Sequence, residues 1–127
     1  LQSSDIEMSK KIMVVDDSRI VQMQMQKILS DTEYEIVACC QNGEDALNMY
    51  DQIQPDLVTM DILMPGMDGL ETARMILKKY PQARVLMVSS LAYDDTVDEA
   101  NSIGAKGFVY KPFDRDQLIG SLDKAFA

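Results

Sequence analysis

The 127-residue sequence contains no histidine and no tryptophan, and its two cysteines are adjacent. The lack of histidine excludes Ser-His-Asp and Cys-His catalysis as well as histidine-based metal sites. A bridge between Cys39 and Cys40 would be strained, so a framework of disulfides is excluded too. No apolar run approaches the roughly 18 residues that a membrane-spanning helix needs. With no secretory signal either, these features favour a reducing cytoplasm and no membrane insertion.

Basic residues are scarce as well, since 12 Lys and Arg stand against 21 Asp and Glu, which gives a net charge of −9. Such a surface repels the phosphates of nucleic acids and anionic membranes, so we expect no direct nucleic acid binding by this domain. A chain of this length with 46% hydrophobic residues suits one domain with one core. Residues 1–8 are expected to be a leader, cloning-derived or flexible, and residues 9–127 to form the domain.

Five short apolar runs alternate with five helical patterns along the chain. The predicted strands are Lys11–Val15, Glu35–Cys40, Leu57–Asp61, Arg84–Val88 and Gly107–Tyr110. The predicted helices are Ser18–Ser30, Gly43–Gln52, Leu70–Tyr80, Thr96–Ile103 and Asp114–Phe126. This alternation predicts an α/β fold with a parallel sheet and right-handed crossovers. A doubly wound, flavodoxin-like (βα)5 sheet of order 2-1-3-4-5 competes with a fragment of a larger Rossmann sheet, and the count of five units favours the first.

Unusual polar residues stand where the predicted strands end. They are Asp16 and Asp17 after the first strand, Asp61 at the end of the third, Ser89 and Ser90 at the end of the fourth, and Lys111 after the fifth. In the 2-1-3-4-5 order, strands one and three are neighbours at the switch point where such folds bind ligands. Three carboxylates are therefore predicted to converge, and Mg²⁺ would relieve their repulsion. Helix capping by Asp17 and Ser18 is the alternative, but capping does not explain Asp61.

A carboxylate beside Mg²⁺ can act as a nucleophile toward phosphorus and form an aspartyl-phosphate. Asp61 is the candidate nucleophile because it follows an apolar strand and precedes Ile62 and Leu63. Lys111 would supply a second positive charge, and the hydroxyl of Ser89 could donate to another phosphoryl oxygen. The sequence therefore predicts phosphoryl transfer as the chemistry of this site.

Four motifs together resemble the receiver domain of two-component response regulators, most of all the single-domain chemotaxis regulators. They are the acidic pair in MVVDDS, the aspartate in MDILMPGMDG, the serine after VLMV, and the run FVYKP. The resemblance covers Lys10 to Ala127. It implies a signalling switch that takes a phosphoryl group from a histidine kinase onto Asp61 and controls an unknown output protein or a missing output domain. Such a domain catalyses its own phosphorylation and dephosphorylation but is not a turnover enzyme.

The resemblance also implies roles for single residues around the metal. Asp17 and Asp61 would be direct Mg²⁺ ligands, and Asp16 would act mostly through water. The backbone carbonyl of Leu63 would be a further ligand. Leu63 and Leu91 are apolar where many relatives carry polar side chains that could position a hydrolytic water. We therefore expect the phosphoryl group to last for minutes or more rather than seconds.

A second group of implied roles concerns the signal. Ser89 would take the family's Ser/Thr switch position, and Phe108 would be its switch aromatic because it stands three residues before Lys111. Tyr110 is closer in sequence to Lys111 but does not match that position. Ser89 and Phe108 would together change the face formed by the fourth helix, fifth strand and fifth helix. The Lys111–Pro112 bond is expected to be cis, which proline allows at low cost.

Three other functions fit part of this pattern. A flavodoxin-like electron carrier would share the fold, but Asp16 and Asp17 would repel the phosphate of FMN, and no tryptophan is present to stack on its ring. A metal-dependent phosphatase would need an acidic pair on the strand of its nucleophile and a cap domain, and neither is recognisable. A receiver used only for docking would not need the intact set of Asp16, Asp17, Asp61, Ser89 and Lys111.

Overall fold

The computed structural model describes residues 9–91 and 93–127, so the leader expected at residues 1–8 lies outside the described part. Five strands and five helices alternate along it. The strands are β1 Lys10–Val15, β2 Tyr34–Cys40, β3 Leu57–Met60, β4 Val85–Ser89 and β5 Gly107–Tyr110. The helices are α1 Arg19–Leu29, α2 Gly43–Ile53, α3 Gly69–Lys79, α4 Asp94–Ser102 and α5 Arg115–Phe126.

All five strands are parallel and lie in the order β2-β1-β3-β4-β5, which confirms the predicted flavodoxin-like topology. Alternate residues of the central strands point to opposite faces, and both faces are buried. In β1, for example, Ile12 and Val14 pack on one face while Met13 and Val15 pack on the other. The near-continuous apolar runs of the sequence follow from this double burial.

Two layers of helices cover the sheet. Helices α1 and α5 supply Met25, Leu29, Leu118 and Leu122 to the core on one face. Helices α2, α3 and α4 cover the other face, where α4 contributes a single fully buried residue, Ala100. Among the described residues, no helix is both long and apolar enough to cross a membrane. The carboxyl ends of all five strands meet at one edge of the sheet, which is where the candidate site lies.

Side-chain caps fix where four of the five helices begin. Ser18, Asn42, Asp68 and Asp114 each accept a hydrogen bond from a backbone N–H in the first turn. The cap of α1 is therefore Ser18, which starts the helix directly after the acidic pair. Each predicted helix start lies within one residue of the observed one, apart from that of α4.

Helix α4 begins at Asp94, two residues before the predicted start at Thr96. A start at Thr96 would place Asp94 and Asp95 in the preceding loop. In the first turn, however, their negative charges interact favourably with the amino-terminal end of the helix dipole. The side chain of the N-cap residue, Tyr93, makes no capping hydrogen bond.

Candidate functional site

The backbone of the sheet continues past the strand ends and holds the acidic residues in place. The N–H of Asp61 donates to the carbonyl of Val15 at 2.9 Å, and the N–H of Asp16 donates to the carbonyl of Cys40 at 2.9 Å. These bonds tie the loops after β1, β2 and β3 to one another. The predicted convergence of loops one and three at the switch point is therefore present.

Three carboxylates meet at this point. One carboxylate oxygen from each of Asp16, Asp17 and Asp61 lies within 4.8 Å of those of the other two. Asp16 and Asp61 are 1% and 4% exposed, whereas Asp17 is exposed to solvent. The cluster therefore has two buried members and one open side.

Lys111 joins the two buried carboxylates. Its Nζ lies 2.7 Å from Oδ2 of Asp16 and 3.3 Å from Oδ2 of Asp61. The other oxygen of Asp16 accepts a hydrogen bond from the N–H of Ser18 at 2.9 Å, and that of Asp61 accepts from the N–H of Ile62 at 2.8 Å. Each buried carboxylate thus has both oxygens engaged. The sequence placed Lys111 at this edge but did not predict that it would bridge the carboxylates.

The site is not neutral, since one ammonium group faces three carboxylates. Burial raises the pKa of Asp61, the negative charge of Asp16 raises it further, and Lys111 opposes both effects. A cluster of hard oxygen donors with excess negative charge and one open side suits Mg²⁺, which binds few carboxylates and keeps several waters. The residues present therefore fit a magnesium ion.

Ser89 lies at the same edge, as the last residue of β4, and is 1% exposed. Its Oγ accepts a hydrogen bond from the N–H of Leu91 at 3.1 Å. Its carbonyl accepts from the N–H of Lys111 at 3.0 Å, which couples the ends of β4 and β5. Ser90, the other serine noted in the sequence, follows the strand and is exposed. In this conformation the hydroxyl of Ser89 is therefore held by its own loop.

The remaining predicted residues lie around this edge. The Leu63 side chain is 57% exposed, and Leu91 is partly buried against the core. Phe108 is half-buried and packs against the core layer under α2, α3 and α4. The Lys111–Pro112 peptide bond is cis.

Gly69 is a residue of this site that the sequence reasoning missed. A Cβ at this position would lie 1.8 Å from the backbone oxygen of Asp61 and 2.9 Å from Cα of Ile62. The N–H of Gly69 also donates to the carbonyl of Ile62 at 2.8 Å. The start of α3 can therefore approach the backbone of the loop that carries Asp61. The glycine directly after the cap Asp68 was the available signal, because glycine is used where backbones approach closely.

Comparison with known proteins identifies the family. The model of the family described as the response regulator receiver domain matches residues 12–123. The chain belongs to this family. The match includes every residue placed in the site above, from Asp16 to Lys111.

Several relatives of this receiver domain are chemotaxis proteins. It is 41% identical to the chemotaxis protein CheY of Listeria monocytogenes over 91% of this chain and 97% of that protein. It is 35% identical to CheY of Thermotoga maritima, with 92% and 98% covered. Among solved structures, the CheX-CheY-BeF3-Mg²⁺ complex of Borrelia burgdorferi matches with a TM-score of 0.90 and 32% identity, and covers 93% of this chain and 90% of that one.

Proposed function

We propose that this receiver domain is a switch in which Asp61 accepts a phosphoryl group from a histidine kinase. The observation that carries the proposal is the cluster of three carboxylates with Lys111 3.3 Å from Oδ2 of Asp61. We propose Asp16, Asp17, Asp61 and the Leu63 carbonyl as the residues that hold Mg²⁺. The similarity to a CheY crystallised with BeF3 and Mg²⁺ supports both parts.

In the proposed reaction, a carboxylate oxygen of Asp61 attacks the phosphorus of a phosphohistidine. An O–P bond forms as the P–N bond breaks, and the electron pair stays on the donor nitrogen. Mg²⁺, when bound, supplies positive charge that neutralises the phosphoryl oxygens. Because the chain has no histidine, the donor is another protein or a small phosphodonor.

Lys111 and Ser89 are proposed to recognise the phosphoryl group once it is on Asp61. The ammonium of Lys111 is within 3.3 Å of Oδ2 of Asp61, so it can pair with a phosphoryl oxygen after a small movement. The hydroxyl of Ser89 would leave the N–H of Leu91 and donate to another oxygen. Each charge-assisted hydrogen bond contributes about 1.5–3 kcal/mol. A few such bonds together supply about 5.5 kcal/mol, which is the free energy needed to take a two-state equilibrium from 1:99 to 99:1.

The proposed signal is a change of the face formed by α4, β5 and α5. Movement of Ser89 toward the phosphoryl group leaves space into which Phe108 can turn. That movement repacks the outer face of β5 and alters what a partner meets there. Since several of the relatives are chemotaxis proteins, we propose a role in a chemotaxis pathway of the cytoplasm.

The kinase is proposed to approach over α1, which begins directly after the acidic pair. Ile20 and Met23 of this helix are 79% and 65% exposed. Large apolar side chains exposed beside a reactive edge are typical of a protein-protein contact. Alanine at these two positions should therefore slow transfer from the kinase without slowing transfer from a small phosphodonor.

The apolar border of the site is proposed to slow hydrolysis. Neither Leu63 nor Leu91 can orient a water toward the phosphorus, so the half-life of the phosphorylated domain should be minutes or more. Leu63→Asn should shorten it by roughly tenfold, a modest part of what positioning a reactant can supply. The measurement is loss of the adduct over time in the isolated domain. A wild-type half-life of a few seconds would contradict this proposal.

Incubation with acetyl phosphate and Mg²⁺, followed by intact mass, tests the reaction itself. The wild type should gain one phosphoryl group, and EDTA or Asp61→Asn should prevent the gain. Asp98→Asn, at an exposed aspartate of α4, is the matched control and should react like the wild type. The absence of an adduct in the wild type would leave the docking-only receiver as the better interpretation.

A further inference from the structure

Two aromatic rings lie side by side on β5, at the face proposed to carry the signal. The centroids of Phe108 and Tyr110 are 5.2 Å apart, with an angle of 42° between the ring planes. Residues two apart on a strand point to the same face, and aromatic pairs are favourable at centroid distances of about 4.5–7 Å. The contact is therefore a genuine attractive pair within one strand.

Tyr110 is also adjacent to the other proposed switch residue. In the ladder between β4 and β5, Ser89 is the partner of Tyr110, and Met87 is the partner of Phe108. The carbonyl of Ser89 accepts from the N–H of Lys111, the residue after Tyr110. Tyr110 thus neighbours Ser89 across the ladder and Phe108 along the strand.

The pair lies at the edge of the sheet rather than in its close-packed centre. Strand β5 is an edge strand, Tyr110 is 49% exposed, and Phe108 is half-buried. An open pocket of about 160 Å³ at this edge is lined by residues of β5 and, from α5, by Gln117 and Ser121. A ring enclosed in a close-packed core would be fixed by its surroundings. At this edge, the ring of Tyr110 packs directly against the ring of Phe108.

The ring contact belongs to the resting conformation. In this structure the hydroxyl of Ser89 is bonded to the N–H of Leu91, and the ammonium of Lys111 is paired with Asp16 and Asp61. Both groups are therefore engaged within the protein and do not contact a phosphoryl group. Any turn of Phe108 toward the space left by Ser89 must change its contact with Tyr110.

We propose that Tyr110 is a positioning residue that holds Phe108 in its resting orientation and so sets how readily the switch changes state. The inference rests on the proposed function of Phe108 and adds the residue that opposes its movement. The strength of an aromatic pair corresponds to a shift of about two- to tenfold in a two-state equilibrium. By linkage, loss of the pair should raise the apparent affinity for a phosphoryl analogue by the same factor.

The test uses the full chain, Mg²⁺ and BeF3⁻ as the phosphoryl analogue, with the methyl group of Met87 observed by NMR. Met87 is buried and lies opposite Phe108 in the ladder, so its signal reports the position of that ring. Tyr110→Val keeps a residue suited to a strand but removes the ring. Tyr110→Phe keeps the ring, and Tyr80→Val removes a ring from a different aromatic pair, that of Tyr50 and Tyr80.

We expect the BeF3⁻ midpoint of Tyr110→Val to be about two- to tenfold lower than that of the wild type. Before BeF3⁻ is added, its Met87 signal should already lie closer to the saturated position. Tyr110→Phe and Tyr80→Val should match the wild type. If Tyr110→Val unfolds in a urea titration at too low a concentration to be used, Tyr110→Leu takes its place with the same expectation.

The possible failures are distinguishable. A wild type that responds to BeF3⁻, with an unchanged or higher midpoint in Tyr110→Val, would overturn the role of Tyr110 alone. A wild-type Met87 signal that does not move, or that moves equally in Asp61→Asn, would overturn the proposed switch and this inference with it.

Discussion

Two aspartates of this domain each pair with a lysine, yet their pKa values move in opposite directions. Asp51, on the surface of α2, accepts hydrogen bonds from the hydroxyl of Tyr80 at 2.6 Å and from Nζ of Lys79 at 3.0 Å. Those bonds lower its pKa. Asp61 lies 3.3 Å from Nζ of Lys111, but burial and the charge of Asp16 raise its pKa.

The difference lies in how completely each carboxylate is compensated. Around Asp51, solvent and two donors stabilise the ionised form, so the cluster does no more than join α2 to α3. Around Asp61, one ammonium group pairs with two buried carboxylates, and a third, exposed carboxylate lies close by. An incompletely compensated charge costs stability, and ionisable groups with raised or lowered pKa values concentrate at functional sites for this reason. The buried cluster therefore lowers the stability of the domain when no cation is bound, an arrangement that is typical of a binding site.

The largest expected effect is the difference between removing the lysine of the buried cluster and removing the lysine of the exposed one. Lys111→Met leaves Asp16 and Asp61 buried without a cation, which should lower the free energy of unfolding by about 3 kcal/mol at neutral pH without Mg²⁺. Lys79→Met removes a pair in which both side chains are largely exposed, and it should change stability little. Urea unfolding of both variants measures the contrast.

Mg²⁺ should return part of the stability lost in Lys111→Met, because the ion compensates the same carboxylates. It should have no such effect on Lys79→Met. If both variants lost the same free energy of unfolding, the carboxylate charges of the buried cluster would be as well balanced as those of the exposed one.

A second contrast concerns two glycines, one beside the acidic cluster and one on the exposed surface of α5. Gly69→Ala places a Cβ against the carbonyl of Asp61 and should destabilise the domain by about 2 kcal/mol, because the backbones of two elements must separate. Gly120→Ala, within α5, meets no atom within 4 Å and should stabilise it by about 0.5–1 kcal/mol.

Thermal and urea unfolding give the signs of these two changes. Gly69→Ala should also weaken Mg²⁺ binding, since the displaced loop carries Asp61. A Gly69→Ala variant with normal stability and normal Mg²⁺ affinity would show that the close approach is not needed to hold the carboxylate in place.

The smallest expected effect is the pH dependence of the two aspartates. Because the pKa of Asp61 is raised, the folded state binds its proton more tightly than the unfolded chain does. Stability contributed by this group is therefore highest below its ordinary pKa of 3.8 and falls as pH rises through the raised value. Asp61→Asn should be more stable than the wild type near neutral pH in EDTA, by about 1 kcal/mol, and the gain should vanish in acid.

Asp51 should behave in the opposite way. Its lowered pKa stabilises the folded state at all pH values above its ordinary pKa, and this contribution is lost as pH falls through the lowered value. Asp51→Asn should therefore be less stable than the wild type near neutral pH and approach it in acid. Unfolding free energies measured from acid to neutral pH should give two difference curves of opposite sign.

Much of the fold could be predicted from local patterns. Each predicted strand end lies within one residue of the observed one, because each strand is an apolar run with polar or turn residues on both sides. The start of α4 was the weakest prediction, since its first turn is stabilised by the helix dipole rather than by a side-chain cap or apolar residues. The acidic edge was predictable because parallel strands all end on the same side of a sheet.

Contacts between distant side chains were not predictable in the same way. The bridge from Lys111 to Asp16 joins residues 95 positions apart and depends on how the loops after β1 and β5 meet. The approach of Gly69 to the backbone of Asp61 depends on where α3 packs against the loop after β3. Each contact depends on distances between separate elements of the fold, which local sequence patterns do not determine.

The sequence by itself determined the alternation of strands and helices, the sheet order and the residues that stand at its carboxyl edge. Those features follow from hydrophobic periodicity, turn residues and the rules of parallel sheets, which act over short stretches of chain. The tertiary structure decided that two of three carboxylates are buried, that one lysine bridges them, and that the pKa of Asp61 is raised. Burial and Coulomb energies depend on the whole packed molecule, so only the folded chain could assign them.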